Sequence, residues 1–387
     1  MRLALIVPGG VDRSGTERVI PCILWLIEGL VRAGHEVHVF SMYQEKRADR
    51  WELLGAQVHN IGGRFTIPRA IAAVLASHRR ARFDALHGFW LNSGGLIAAI
   101  AGKLLGRPAI LTLAGGELEA IKDIGYGGRL TMRGRLYARL AVRLAACVTA
   151  PSLTICKSAG LRGIRAEYIP LGVALDRWPS CAPRRRDPGA PIRLLHVASL
   201  NRVKDQHMLL RAANVLAKRG VAFELTIIGV DTLGHAIQDF AAELRLDRRV
   251  SFKGFLPHSE LRPWVERSDL LLMTSRHEAG PLVLLEAAIA GVPTVGTAVG
   301  HIADFAPDAA RAVPIGDYRA LAAEIEALAR DEQDRHSLAH QAQRRALVCG
   351  ADRTVAEYCA RYAAERCGSA RIGPADDTAE QAAIVRD

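Results

Sequence analysis

The 387-residue chain is short of aromatics, which make up 5% of it, and its most basic stretch, residues 129–143, holds only Tyr137 among its arginines, too few for a base-stacking surface. Nucleic acid is therefore not an expected partner. Long apolar runs are missing too: no stretch approaches the roughly 18 residues of a membrane span. MRLALIVPGG is too short and too quickly broken for a secretory signal and reads as a first strand. Cysteine is sparse: Cys22, Cys147, Cys156, Cys181, Cys349, Cys359 and Cys367 are odd in number, scattered and without C-x-x-C spacing. That argues against structural zinc and for reduced thiols in the cytosol.

What is present is apolar bulk and positive charge. Half the residues are hydrophobic and 24% are charged, enough for a large core that a chain of this length divides between two domains. The formal charge is +11, and residues 1–180 hold 24 Lys and Arg against 13 Asp and Glu, while 181–387 hold 27 of each kind. The excess lies wholly in the first half, as suits an anionic partner. In GGRLTMRGRLYARLAVRLAA, Arg135, Arg139 and Arg143 share one helical face, and Leu136, Leu140 and Leu144 form an adjoining stripe. The expectation is a surface helix with its leucines on the core, membrane contact being the competing reading.

Short apolar runs alternate with amphipathic stretches nearly end to end. LALIVP, HEVHVF, DALH, AILTL, CVTAPS and EYIPLG read as strands of the first half, and RLLHVAS, FELTIIG, VSFKG, LLLMTS and VPTVG as strands of the second. Helices are expected near 205–219, 235–245, 259–267 and 282–290. Such alternation implies an α/β protein with two Rossmann-like, doubly wound parallel sheets. The reading is a first domain over 1–178, a proline-rich linker over 179–191, a second domain over 192–350, a terminal helix over 351–367, and a mobile tail over 368–387.

In such sheets ligands gather beyond the carboxyl ends of the strands, which selects Ser199–Asp205, Gly229–Thr232, Ser275–Pro281 and Gly296–Gly300, and in the first half Pro8–Glu17, His87–Trp90 and Ala114–Glu117. Among these, SRHEAGPLVLLE has a strand ending at Ser275, a Gly280-Pro281 turn, and a helix whose first amides around Leu282 suit a diphosphate. Glu286, one turn inside, could accept the two hydroxyl hydrogen bonds a ribose offers, and Glu278 stands on the sugar side. Spacing alone leaves an exposed helical glutamate an equal alternative for Glu286.

The longer pattern, Glu278, seven residues, Glu286, then AAIAGVPTVGTAVG, resembles the signature of the retaining glycosyltransferases of family 4, whose GT-B fold sets two Rossmann domains across a cleft. The resemblance runs through SGTERVIPCILWLIEGLVRAGHEVHVF, YIPLGVALDRW, ASLNRVKDQHMLLRA, GFLPHSELRPWVERSDLLLMTS and DRTVAEYCARYAAE, the last similar to the helix that crosses back to the first domain. It implies Ser14-Gly15 at the opening glycine-loop positions, Glu286 on the ribose, Glu278 on the donor sugar and Lys204 on the phosphates. Ser199 stands where an arginine is usual, with Arg202 near enough to substitute. Gly280 and Pro281 fall in the family's Gly-Phe-Gly turn, and Gly229 lies among the donor-side positions. The usual histidine at the sugar is absent from ILTLAGGELEA, where Ala114 or Gly115 stands; His87 and Glu117 are the nearby polar candidates. His196 reads as a hydrogen-bonded core histidine and His277 as a turn cap.

The expected activity is transfer from a nucleotide-diphosphate sugar to a glycan or lipid-linked acceptor, with Lys204 and Arg202 steadying the leaving diphosphate. No cofactor is expected, and without an Asp-x-Asp motif no metal. The basic half would meet an anionic membrane or a phosphate-linked acceptor on the cytoplasmic side. A sugar-nucleotide epimerase or a non-catalytic nucleotide-sugar-binding protein are the alternatives.

Overall fold

The computed structural model describes residues 1–368, so the tail expected from 368 onward lies, apart from Gly368, outside the described residues. The first sheet contains β1 (Arg2–Val7), β2 (Glu36–Ser41), β3 (Asp49–Leu53), β4 (Ala56–Asn60), β5 (Ala85–Phe89), β6 (Ala109–Thr112), β7 (Cys147–Ala150) and β8 (Glu167–Tyr168). Their order is β3-β4-β2-β1-β5-β6-β7-β8, parallel throughout except where β3 pairs antiparallel with β4. Helices α1 (Pro21–Arg32), α2 (Thr66–Arg80), α3 (Ser93–Leu105), α4 (Met132–Leu144) and α5 (Leu153–Gly160) connect and cover it.

The second sheet, β9 (Ile192–Val197), β10 (Phe223–Ile228), β11 (Val250–Phe252), β12 (Leu270–Met273), β13 (Thr294–Thr297) and β14 (Arg311–Val313), is parallel and ordered β11-β10-β9-β12-β13-β14. It winds outward from β9 in both directions, the doubly wound order, with ligand positions where the winding reverses. Its helices are α6 (Gln206–Lys218), α7 (Ala236–Glu243), α8 (His258–Glu266), α9 (Leu282–Ile289), α10 (Gly300–Phe305), α11 (Tyr318–Arg330) and α12 (Glu332–Leu347). All four residues of β12 are buried, as a parallel strand covered on both faces requires. The chain thus has the two doubly wound α/β domains its alternation implied. The hairpin of β3 and β4 and the three-residue β14 were not in that reading, because DRWEL, AQVHN and RAV carry no sustained apolar run.

Local chemistry explains the element ends. Pro21 opens α1, where its missing N–H costs nothing, and Gly34, in the left-handed region at φ 79°, lets the chain turn back into β2. Asp205 caps α6 by accepting from Met208 N at 3.2 Å. Segment 179–191 carries no helix or strand but is tied to the second domain: Arg184 pairs with buried Asp269 at 2.7 Å, and Gln343 donates to Cys181 O at 2.6 Å.

Helix α13 (Ala351–Cys367) returns to the first domain. Its Thr354 Oγ1 accepts from Gly172 N at 2.9 Å, Val355 seats on Gly29 of α1, and Tyr358 and Tyr362 are fully buried. A Cβ on Gly29 would sit 2.3 Å from Val355, so the glycine allows the two helices to touch.

The expectation for the basic helix holds at Leu144, which packs against the first-domain core, and fails at Leu136 and Leu140. In α4 the buried residues are Ala138 and Ala141, whereas Met132 is 84% exposed and Leu136 60%. Leu140 is exposed as well, so the side facing α3 is the alanine side. Small residues let α4 lie close to its neighbour and turn Leu136 and Leu140 outward.

Candidate active site at the domain cleft

The site is built from three loops at the carboxyl ends of β9, β12 and β13. After β9, Asn201 Oδ1 accepts from Val203 N and Lys204 N at 3.2 and 3.1 Å, a local turn that presents Lys204. Lys204 O accepts from Thr274 Oγ1 at 2.8 Å, which fixes this turn against the end of β12. The ammonium of Lys204 meets Glu278 Oε1 at 2.5 Å, and Ser275 Oγ donates to the same oxygen. Thr297, at the end of β13, donates to Ser275 O, and Gly300 lies so near the Glu278 backbone that a Cβ there would be 2.9 Å from its carbonyl oxygen. Glu278 is thus held by its backbone and its carboxylate, facing the cleft beside the start of α9. Pro281 is the N-cap of α9 rather than its first residue, and Leu282 begins the helix. Leu284 N donates to Pro281 O at 3.2 Å, while the amides of Leu282 and Val283 before it have no carbonyl partner within the helix.

Glu286 is not the open carboxylate expected. It is 3% exposed, its Oε1 is 2.5 Å from His258 Nε2, and its backbone oxygen accepts from Trp178 Nε1 at 2.8 Å. His258 itself lies between Trp25 and Trp178, with ring centroids at 5.6 and 5.2 Å. A 260 Å³ cavity adjoins this group and reaches Gly15 and Thr16 of the first domain. Sequence reasoning missed His258; its only signal was its place after β11, at the same edge of the sheet as the other site loops.

Two contacts run from this domain to the first: His277 Nε2 reaches Gly115 O at 3.1 Å, and Arg276 pairs with Asp123. His277 is therefore a bridge across the cleft and not a turn cap. Its imidazole lies against the β6 loop in which the expected histidine is missing. Tyr126, 5.8 Å from it ring to ring, has a hydroxyl pushed up to about 12 by burial and then by Glu278. Glu117 is buried, and its carboxylate accepts from Ala114 N and Gly115 N at 3.1 and 2.8 Å. Burial raises its pKa against those hydrogen bonds, and it shapes the loop instead of facing the cleft.

Several expected residues stand elsewhere. His87 is 1% exposed, with Nδ1 2.6 Å from Tyr362 Oη and Nε2 2.7 Å from Thr112 Oγ1; burial pushes its pKa down to about 3. The helix that returns from the end of the chain covers it, which removes it from the cleft. Arg202 is exposed and makes no ion pair among the described residues, so it does not join Lys204. Ser199 contributes a backbone oxygen to Gln206 at 3.1 Å. Gly229 serves close backbone packing, since a Cβ there would overlap Ala198 O at 1.9 Å. Gly280 has the same character against Pro151 and His301, at 2.9 and 3.1 Å. Ser14 is exposed and its Oγ accepts from Thr16 N and Glu17 N. His196 is the buried, hydrogen-bonded residue expected, bonded to Leu272 O at 2.9 Å. Among the described residues no three His, Cys, Asp or Glu side chains gather as a metal would need.

The chain matches two family models: glycosyl transferases group 1 over residues 183–345 and glycosyl transferase 4-like domain over 19–172. It is 28% identical to a putative colanic acid biosynthesis glycosyltransferase, WcaL, of Salmonella typhimurium over 46% of this chain and 45% of that protein. The match therefore spans about half the length of that relative. Among solved structures it resembles sucrose-phosphate synthase from Thermosynechococcus elongatus, with a TM-score of 0.75 and 18% identity over 93% of this chain and 98% of the other. It also resembles Anabaena HepE in complex with UDP-glucose, with a TM-score of 0.69 and 18% identity over 93% and 100%.

Proposed function

Because the chain belongs to the group 1 glycosyl transferases and has their GT-B fold, we propose that it moves a sugar from a nucleoside-diphosphate sugar to a hydroxyl of a glycan or lipid-linked acceptor. The reaction retains anomeric configuration and uses no metal, and it serves cell-surface polysaccharide synthesis. The observation that carries this reading is the Lys204, Ser275 and Glu278 cluster, fixed beside the amino end of α9 and facing the other domain.

In the transfer, the bond from the anomeric carbon to the diphosphate oxygen breaks and a bond to the acceptor oxygen forms. The hydroxyl proton passes to the leaving phosphate. Negative charge grows on the departing diphosphate, and Lys204 with the first amides of α9 stabilises it. Glu278 takes sugar hydroxyls, and Glu286, steadied by His258, takes ribose hydroxyls through its second oxygen. Closure against the Gly115 loop keeps water from the reacting carbon.

The acceptor side faces the inner leaflet of the cell membrane. Met132, Leu136 and Leu140 form an outward apolar stripe on α4, and Arg135, Arg139 and Arg143 flank it, the pairing of apolar and cationic side chains that an anionic lipid surface attracts. Among the described residues no helix is long and apolar enough to cross a membrane.

A panel of nucleotide sugars, uridine donors first, tests the donor reading through thermal stabilisation and hydrolysis, because a ligand held by the native state raises its apparent stability. Glu286→Ala is expected to weaken nucleotide binding, and Glu278→Ala to impair turnover more than affinity. If both variants bind and turn over like the parent, the assignment is wrong.

A further inference from the structure

We infer a second anion site, in the first domain, that holds a phosphoryl group at the far end of the acceptor. The inference rests on the transfer reading above and names the class of acceptor. Two adjoining cavities lie beside the β3 and β4 hairpin. One, of about 940 Å³, is lined by Arg13, Arg18, Lys46 and Arg47; the other, of about 530 Å³, by Arg50, His59, Arg69 and Arg80; they share Ala48 and Asp49.

The charges in these walls do not cancel. Arg13 is matched by Asp49 at 2.6 Å, and Arg18 by Asp12 and Glu45 at 2.5 and 2.6 Å, which uses both acids of the lining. Lys46, Arg47, Arg50, Arg69 and Arg80 form no ion pair among the described residues. Gathering like charges around concave walls costs free energy, which an anion recovers through charge-assisted, bidentate hydrogen bonds. His59 adds no charge near neutrality, since burial and then nearby His38 and Arg50 bring its pKa to about 4.

The walls are also shaped. Gly62 and Gly63 are both left-handed, at φ 53° and 68°, and a Cβ on Gly62 would lie 2.7 Å from the Arg47 carbonyl carbon. Arg69 Nη1 donates to Gly62 O at 2.7 Å, which leaves its other N–H groups for a ligand. The cavities connect to the donor side through one loop: Arg13 and Arg18 face the larger cavity, while Gly15 and Thr16 between them line the 260 Å³ cavity next to His258. An elongated acceptor lying over this loop presents its hydroxyl at the cleft and its phosphoryl group to the arginines.

Inorganic pyrophosphate titrated calorimetrically into the full chain tests this, with Lys204→Ala protein isolating the site from the donor cleft. Binding that survives Lys204→Ala, weakens with salt, and falls at least tenfold on adding Arg50→Gln and Arg80→Gln is the expected result. Lys46→Gln with Arg47→Gln gives a second pair in case the first fails to fold, checked by thermal unfolding. Absence of a Lys204-independent site, or one indifferent to both pairs, overturns the inference. Glucose 1-phosphate and a polyprenyl phosphate in detergent micelles distinguish a soluble from a lipid source by which of them shows the arginine dependence; dependence in neither counts against the proposal. Nucleotide-sugar stabilisation of the parent is read separately, so that failure of the donor reading leaves the anion site standing, and the reverse.

Discussion

The two domains share a winding pattern and use their strand ends in opposite ways. In the second domain the loops after β9, β12 and β13 bring Lys204, Ser275 and Glu278 to the cleft, with charge and partner in contact. In the first, the polar residues of the central strands are sealed: His87, Thr112 and Thr149 bond to each other and to Tyr358 and Tyr362 of α13, all fully buried. Polar side chains near strand ends are thus not a site by virtue of position. What covers them decides whether they bind a ligand or hold the domain to its terminal helix.

The contrast is broken most directly at Lys204. Lys204→Ala is expected to lower kcat by about 10² to 10³, the cost of removing one preset donor to developing charge, with little change in thermal stability. Steady-state kinetics within threefold of the parent would place the leaving diphosphate elsewhere. Tyr362→Phe should do the reverse. It strips His87 of a buried partner and is expected to cost about 1 to 3 kcal/mol in urea unfolding, without moving KM for the donor.

Acid titration sharpens the same difference. His87 and His196 have folded pKa values depressed to about 3 and about 4. Below pH 6.5 the unfolded chain takes up protons that the native state refuses, so stability present at neutrality is lost progressively as pH falls from about 6.5 toward 4. Glu117, with its raised pKa, opposes this only partly. Unfolding midpoints that stay flat across that range would mean these histidines are open to water. The smallest effect on stability belongs to α4: Leu136→Glu with Leu140→Glu should alter unfolding by less than about 0.5 kcal/mol, as for other exposed positions, while abolishing sedimentation with anionic vesicles. Retained vesicle binding would remove α4 from the membrane reading.

Much of the second domain was legible because its information is local. β12 is a continuous apolar run, α9 begins at a Gly-Pro break, and Glu278 and Lys204 sit at strand ends, where topology alone sends ligands. Four features were not legible. The β3 and β4 hairpin has a Leu54-Gly55 turn, both residues left-handed, between segments too polar to announce strands. Glu286 looked open because His258 lies 28 residues away. His87 looked like a cleft residue because Tyr362 lies 275 residues away. Leu136 and Leu140 of α4 looked buried because hydrophobic spacing gives a helix its stripe but not the direction the stripe faces.

Alternation of apolar runs with helical periods, the turn glycines and the spacing of two acids were set by the order of residues, since each depends on neighbours within one or two turns. Which acids meet a cation, which histidines lose their water, and where the unmatched arginines collect were decided only when distant segments packed, because burial and electrostatics depend on separation in space and not along the chain.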